Sequence, residues 1–510
     1  MPKLQLNSLS IRVLTAKKYV VMKLSEILTR IHVMESHGDL DVEIADIASD
    51  SRKVKQGTLF VAVKGTKVDG HDYIPAVVSA GVSAVVCEHL PSPLPEGTVF
   101  VRVDDSADAL GKIASAYYGY PSEQLTLAGV TGTNGKTTTA TLLYKLFRGL
   151  GYKAGLLSTV VNCVDDEQEP AQQTTPDPIT INRLMAKMVE KGCEYCFMEV
   201  SSHSIVQKRI AGLRFKLGIF SNITLDHLDY HKTFQEYIRA KKLFFDNLPA
   251  DAYSLVNTDD RNGKVMVQNT KSTIKTYGLT GFNDFNANIL ECGFEGMSLN
   301  ICGKEMWTLL PGRFNAYNVL AVYSSAVLLG QKPDEILQVL SGLHPVAGRF
   351  DIVNLAGKTA IVDYAHTPDA LENVIDAINK IRCDMQPSTL ITVCGCGGDR
   401  DRSKRPLMAQ IASKNSDKVI LTSDNPRTEN PESILDEMMA GLKPEDMANV
   451  LRISDRRTAI QTACMMAQKG DIILIAGKGH ENYQDVMGVK HHFDDKEIAT
   501  EINISNLNTV

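Results

Sequence analysis

The run Gly129-Val130-Thr131-Gly132-Thr133-Asn134-Gly135-Lys136-Thr137-Thr138 carries the strongest chemical signal in the chain. It follows the apolar stretch Leu125-Thr126-Leu127-Ala128 and precedes a helical pattern with Leu142, Leu143, Leu146 and Phe147 on one side. Glycines let backbone N–H groups close around phosphate oxygens, Lys136 supplies a point charge, and the Thr137 hydroxyl can ligate Mg2+. The spacing G-x-x-x-x-G-K-[ST] is not met strictly, because Val130 stands where the first glycine belongs. A glycine-rich turn with an exposed lysine would look similar, but strand, loop and helix in that order favour a nucleoside triphosphate site.

Further along, Tyr195-Cys196-Phe197-Met198-Glu199 is an apolar strand ending in a carboxylate, the counter-ligand that Mg2+ beside a phosphate loop needs. Alone, Glu199 reads equally well as an ordinary strand-end acid. Asp226-His227-Leu228-Asp229-Tyr230-His231 is dense in possible metal ligands, though a polar loop explains such a cluster too. Arg239-Ala240-Lys241-Lys242 sits on a helical stretch, where a solvated basic face is the plain reading.

These groups must be positioned by a large chain. At about 150 residues per domain, 510 residues predict roughly three domains. Turn chemistry at Gly119-Tyr120-Pro121-Ser122-Glu123 and at Gly342–Gly348 divides the chain into 1–124, 125–346 and 347–510. The expected class is α/β, with parallel sheets. Short β-rich runs fill the first part, and β-prone runs between 252 and 311 suggest an antiparallel insertion in the second. In the last part, apolar strands run into polar loops at Asp363–His366, Gly397–Arg400, Asp424–Arg427 and Gly477–Glu481. Such loops gather at the carboxyl edge of a parallel sheet, where ligands bind.

With 54 Lys+Arg against 60 Asp+Glu, the net charge of −6 supplies no general attraction for nucleic acid or an anionic membrane. No apolar run approaches the roughly 20 residues that span a bilayer. Residues 1–21 lack a secretory core, and Met22 reads as the start of the folded chain after a disordered leader. The ten cysteines form no framework pattern; buried reduced thiols are expected, the Cys193–Cys196 pair included.

Five ordered motifs together resemble the Mur ligase family of ATP-dependent amide-forming enzymes, from about residue 22 to the end. They are Gly132–Thr138, Met198–His203, Asp226–His231, Phe314–Asn318 and Asp363–Pro368. The resemblance implies an N-terminal UDP-binding α/β domain, a central ATPase domain with a parallel sheet, and a Rossmann-like C-terminal domain. It implies that ATP activates a substrate carboxylate as an acyl phosphate, which an amine then attacks. Charge neutralisation and alignment, more than covalent help, drive such chemistry.

Residue by residue, the resemblance places Gly132, Thr133, Asn134, Gly135, Lys136, Thr137 and Thr138 at the phosphates. Asn315 and Asn318 fall near the nucleotide, and Arg349 and Asp363 reach it from the third domain. The catalytic group comprises Lys136, Glu199, His227 and Lys241. Thr137 and Glu199 are implied to hold one Mg2+, with His227 as a metal-site histidine and Lys241, as a CO2-derived carbamate, serving a second. Ser51 and the segment Thr66, Lys67 and Val68 are expected near the UDP-sugar. Thr174, Thr175, Ser201, Gln207 and Arg209 are expected at the muramoyl dipeptide.

The incoming amine is expected to be meso-diaminopimelate, held by Arg400, Asp424, Asn425, Pro426, Arg427, Gly477 and Glu481. Arg427 argues for the second carboxylate of that diamine. An L-lysine-adding relative and a folylpolyglutamate synthetase-like enzyme are the alternatives, and a regulatory or transport ATPase leaves the loops of the last third unexplained. Asp351 stands where relatives carry Glu and is expected to change a hinge-side contact. The resemblance further implies small-molecule partners, a cytoplasmic monomer, and closure of the third domain over the nucleotide.

Overall fold

The computed structural model describes residues 21–65, 68–383 and 387–507. The leader expected before Met22 and the contacts expected at Thr66 and Lys67 lie outside these residues, apart from Val21. Met22 opens a two-residue strand paired with Ile44.

Three main sheets carry the described chain. The first has five strands in the order Glu35–His37, Val99–Arg102, Ala84–Cys87, Thr58–Val61 and Asp46–Ala48. All but the first neighbour pair are parallel. The second sheet has eleven strands. At its centre Thr126–Thr131 lies between Tyr195–Glu199 and Leu217–Phe220, parallel to both. The chain leaves Thr126–Thr131 toward one side of the sheet, returns through Tyr195–Glu199, then crosses to the other side. The topological switch therefore falls beside the glycine loop, where open α/β sheets bind ligands.

The last sheet has six strands, ordered Asp351–Leu355, Lys358–Asp363, Ile472–Ala476, Leu390–Cys394, Lys418–Leu421 and Val450–Arg452. Its middle strands are continuous apolar runs, buried throughout in Ile472–Ala476 and Leu390–Cys394. That is the pattern of parallel strands covered by helices on both faces. The polar loops read from the sequence sit at the carboxyl ends of these strands.

The antiparallel insertion expected over 252–311 is only partly present. Tyr253–Asn257 and Thr273–Gly278 are parallel strands that continue the main sheet. Antiparallel pairing is confined to the meander Phe285–Gly293, Gly296–Ile301 and Lys304–Thr308, which extends that sheet. Short apolar runs bounded by turns look alike in either arrangement, because strand direction depends on the connection and not on the local pattern. The ten cysteines are free, and both Cys193 and Cys196 are buried, as expected for reduced thiols.

Candidate active site

The glycine loop leads from Thr126–Thr131 into the helix Lys136–Gly149, which buries Leu142, Leu143, Leu146 and Phe147 against the sheet. Gly135 caps this helix at φ 84°, a left-handed conformation that glycine adopts without strain. A Cβ there would lie 2.5 Å from Asn318 Oδ1, so the position also requires the missing side chain. Lys136 Nζ donates to the carbonyls of Gly132 and Thr133 at 2.9 and 2.8 Å. The Thr137 hydroxyl donates to Glu199 Oε2 at 3.0 Å, so the strand-end acid and the loop hydroxyl stand side by side. Glu199 Oε1 accepts from the Thr159 N–H at 2.7 Å.

Lys241 reaches the same place from the helix Phe234–Asp246. It is 1% exposed and donates to the Gly132 carbonyl at 2.8 Å. Burial first, and the neighbouring Lys136 second, hold its amine well below the ordinary lysine range. The plain reading as a solvated basic face therefore applies to Arg239, which is exposed, and not to Lys241. His227 has a left-handed backbone at φ 55° and lies 4.8 Å, ring to ring, from His203. Burial holds its imidazole below the usual range against the pull of Asp226, so the ring is neutral at pH 7. Among the described residues, no three His, Cys, Asp or Glu side chains form a metal-binding group.

From the third sheet, Arg349 Nη2 donates to Thr137 Oγ1 at 3.1 Å, and its guanidinium lies over the Tyr364 ring. Asp363 accepts from the Phe350 N–H at 2.6 Å, and burial raises its pKa to about 6 against the pull of Arg349. A second cross-sheet bond joins Asn134 Nδ2 to Asp369 Oδ2 at 2.7 Å. Asn318 lines the cavity, whereas Asn315 holds the Asn318 amide at 3.0 Å from behind. Asp351 pairs with Lys496 at 2.9 Å.

One cavity of about 650 Å3 joins these groups to the last-third loops. Lys136, Thr137 and Glu199 line one end; Arg400, Asp424, Asn425, Arg427, Gly477 and Glu481 line the other. Pro426 instead faces a separate hollow behind this loop, so it shapes the loop without lining the main cleft. Arg427 Nη1 donates to the Gly398 carbonyl at 2.7 Å from a left-handed backbone at φ 50°.

The dipeptide group is assembled but occupied with itself. Arg209 donates to Gln207 Oε1 and to the Thr175 carbonyl, while Thr175 bonds the Glu199 carbonyl and Ser201. Of this set only Thr174 lines the main cavity. In the first sheet's neighbourhood, Ser51 opens a one-turn helix capped by Asp50, and Val68 is 53% exposed. Neither lines the cavity, so the structure does not bring them to the phosphate site.

The cavity is also lined by His366 and Lys404, among other residues to which the sequence assigned no role. His366, in the Asp363–Pro368 motif, is held below its ordinary range, at about 4, by burial. Lys404 Nζ donates to the His366 carbonyl at 2.8 Å. The motif offered a signal for the histidine; nothing local marked the lysine.

Comparison with known proteins agrees with this geometry. The chain matches the Mur ligase family catalytic domain over 43–118, the Mur ligase middle domain over 130–326, and the Mur ligase glutamate ligase domain over 348–479. It is 58% identical to the UDP-N-acetylmuramoyl-L-alanyl-D-glutamate--2,6-diaminopimelate ligase of Bacteroides fragilis, covering 94% of this chain and 99% of that one. The protein of the same name from Clostridioides difficile is 41% identical, again over 94% and 99%. A solved structure of a ligase with this name superposes with a TM-score of 0.67 at 30% identity, covering 96% of this chain and all of the other. The MurF ligase of Thermotoga maritima in complex with ADP shares the fold at 19% identity and a TM-score of 0.60, over 91% and 98%. Fold and site define an ATP-dependent ligase built on three α/β sheets. The chain belongs to the Mur ligase family.

Proposed function

We propose that this chain joins meso-diaminopimelate to the D-glutamyl carboxylate of UDP-N-acetylmuramoyl-L-alanyl-D-glutamate, in peptidoglycan synthesis. The observation that carries the reading is the single cavity running from Lys136 and Thr137 to Arg400, Arg427 and Glu481. It lets an activated carboxylate and an incoming amino-acid head share one space.

In this reading the division 1–124, 125–346 and 347–510 separates a UDP-sugar domain, an ATP domain and an amino-acid domain. The carboxylate attacks the γ-phosphorus of ATP and ADP leaves; the amine then attacks the acyl phosphate and inorganic phosphate leaves. Lys136 and the loop N–H groups neutralise the phosphates, and Arg349 adds charge from the opposite side. Arg400 and Arg427 suit the distal carboxylate, while Glu481 and Asp424 suit the ammonium. Ser51 and the Thr66–Val68 segment would contact the UDP-sugar, and Thr174, Thr175, Ser201, Gln207 and Arg209 the dipeptide.

Thr137 and Glu199, 3.0 Å apart, would hold a Mg2+ ion at the phosphate loop, and His227 lines the same cavity. Such a cation would stabilise charge on the transferring phosphoryl group. Lys241 fits carbamate formation because its buried amine is a poor base, and the free amine is the form that adds CO2 and loses a proton. A cytoplasmic monomer with small-molecule substrates completes the reading; among the described residues no helix is long and apolar enough to cross a membrane.

The test is ATP-dependent phosphate release by the purified chain with the UDP-muramoyl dipeptide, comparing meso-diaminopimelate with L-lysine. Turnover with meso-diaminopimelate and little with lysine is expected. Turnover with lysine alone would overturn the amino-acid assignment. Inactivity with both would discard the substrate pair and turn attention to a folate-type substrate.

A further inference from the structure

Within the loop that supplies Gly477 and Glu481, Lys478 is fully buried. Its Nζ donates to Asn425 Oδ1 at 3.0 Å and to Glu481 Oε2 at 3.2 Å. Asn425 Oδ1 also accepts from the Asp485 N–H at 2.9 Å, and Asn425 Nδ2 donates to Glu481 Oε2 at 2.7 Å. An amide oxygen has two lone pairs, so both acceptor positions of Asn425 are taken. What remains for a ligand is the second N–H of Nδ2. Glu481 Oε2 likewise has two donors, and Oε1 touches only the Tyr364 hydroxyl at a long 3.5 Å.

The alternative amide orientation is closed off by the same contacts. With Asn425 reversed, its NH2 would face the Lys478 ammonium and the Asp485 N–H, and its oxygen would face the Glu481 carboxylate. Like would meet like on all three sides, in a place where unpaired polar groups are expensive.

We propose that Lys478 is a positioning residue that sets the polarity of the amino-acid pocket. It turns Asn425 into a pure donor, matched to a carboxylate, and leaves Glu481 Oε1 as the acceptor for an ammonium. A zwitterionic amino-acid head is thereby read at both ends by two neighbouring groups, and an amine lacking the carboxylate leaves the Asn425 N–H without a partner. This rests on the reading of the cleft as a diaminopimelate site.

The experiment compares the native full-length chain with Lys478→Met, Lys478→Arg and Asn425→Asp. Steady-state kinetics are measured with meso-diaminopimelate and with L-lysine at saturating ATP and UDP-muramoyl dipeptide. Lys478→Met is expected to raise the KM for meso-diaminopimelate about tenfold or more and to narrow its advantage over lysine, with kcat and the KM for ATP within about threefold of native. Lys478→Arg, which keeps a buried cation donating to the same oxygens, should recover part of that advantage. Asn425→Asp removes the donor with Lys478 in place and should narrow the advantage too; it serves if Lys478→Met does not fold. An unchanged preference in folded Lys478→Met, or in Asn425→Asp, overturns the proposal. A native chain inert with meso-diaminopimelate removes the substrate reading, and this inference with it.

Discussion

Lys136 and Lys241 donate to one and the same oxygen, the carbonyl of Gly132, at 2.9 and 2.8 Å. Their nitrogens are therefore less than about 6 Å apart, a separation at which two ammonium charges strongly disfavour each other. Lys136 is part-exposed at the cavity and near Glu199, whereas Lys241 is 1% exposed. Burial lowers both amines, and with Lys136 beside it Lys241 is held well below the ordinary lysine range. This turns a lysine on an ordinary amphipathic helix into a candidate for modification.

Replacing Lys241 by Met should therefore lower turnover about a hundredfold or more, because the group that would carry the carbamate is gone. With 13C-labelled bicarbonate, the native chain should show a carbamate carbon signal by NMR that the variant lacks. The same signal in both would move the modification to another lysine, and its absence from both would remove it.

Arg349 links the third sheet to the phosphate loop through Thr137 at 3.1 Å. Arg349→Lys keeps a charge but loses the planar fork and the stacking over Tyr364, which lies 4.4 Å away. The expected result is a kcat lowered at least about tenfold, with the KM for the amino acid little changed. A native kcat would show that the arginine does not act on the reacting phosphate.

Asp363 has its pKa raised by burial to about 6, from 3.8. Below about pH 4 the group is protonated in folded and unfolded chains alike. As pH rises toward 6 the unfolded chain ionises first, so this group's contribution to stability falls across that window and is level above it. Asp363→Asn can still accept the Phe350 N–H and escapes this penalty. Urea unfolding should find the variant more stable than native at pH 7.5 by about 1–3 kcal/mol, and nearly equal to it at pH 3. An equal difference at both pH values would exclude Asp363 as the titrating group.

Arg427 spends one N–H group on the Gly398 carbonyl and keeps the rest of its fork at the cavity. Arg427→Ala should weaken use of meso-diaminopimelate about tenfold or more, with the KM for ATP unchanged. Kinetics identical to native would withdraw Arg427 from the substrate.

Much of this molecule was legible along the chain. Gly132–Thr138 could be read as a phosphate loop because its determinants are local: a strand, glycines with free backbone geometry, and a helix start. The strands 390–394 and 472–476 announced themselves as buried parallel strands through unbroken apolar runs, and Arg400 and Arg427 through their place in the loops that follow. Other features were settled only by tertiary structure. The direction of Tyr253–Asn257 and Thr273–Gly278 depends on how the chain crosses the sheet, and apolar runs carry no sign of it. The Lys241 contact to Gly132 joins residues 109 apart, and the Lys478 contact to Asn425 joins residues 53 apart. Without the family resemblance, which implies a carbamate on Lys241, the residues around each lysine read only as a solvated surface. Folding removes each lysine from water and sets it against particular oxygens, and it is that burial, with those partners, that decides its task.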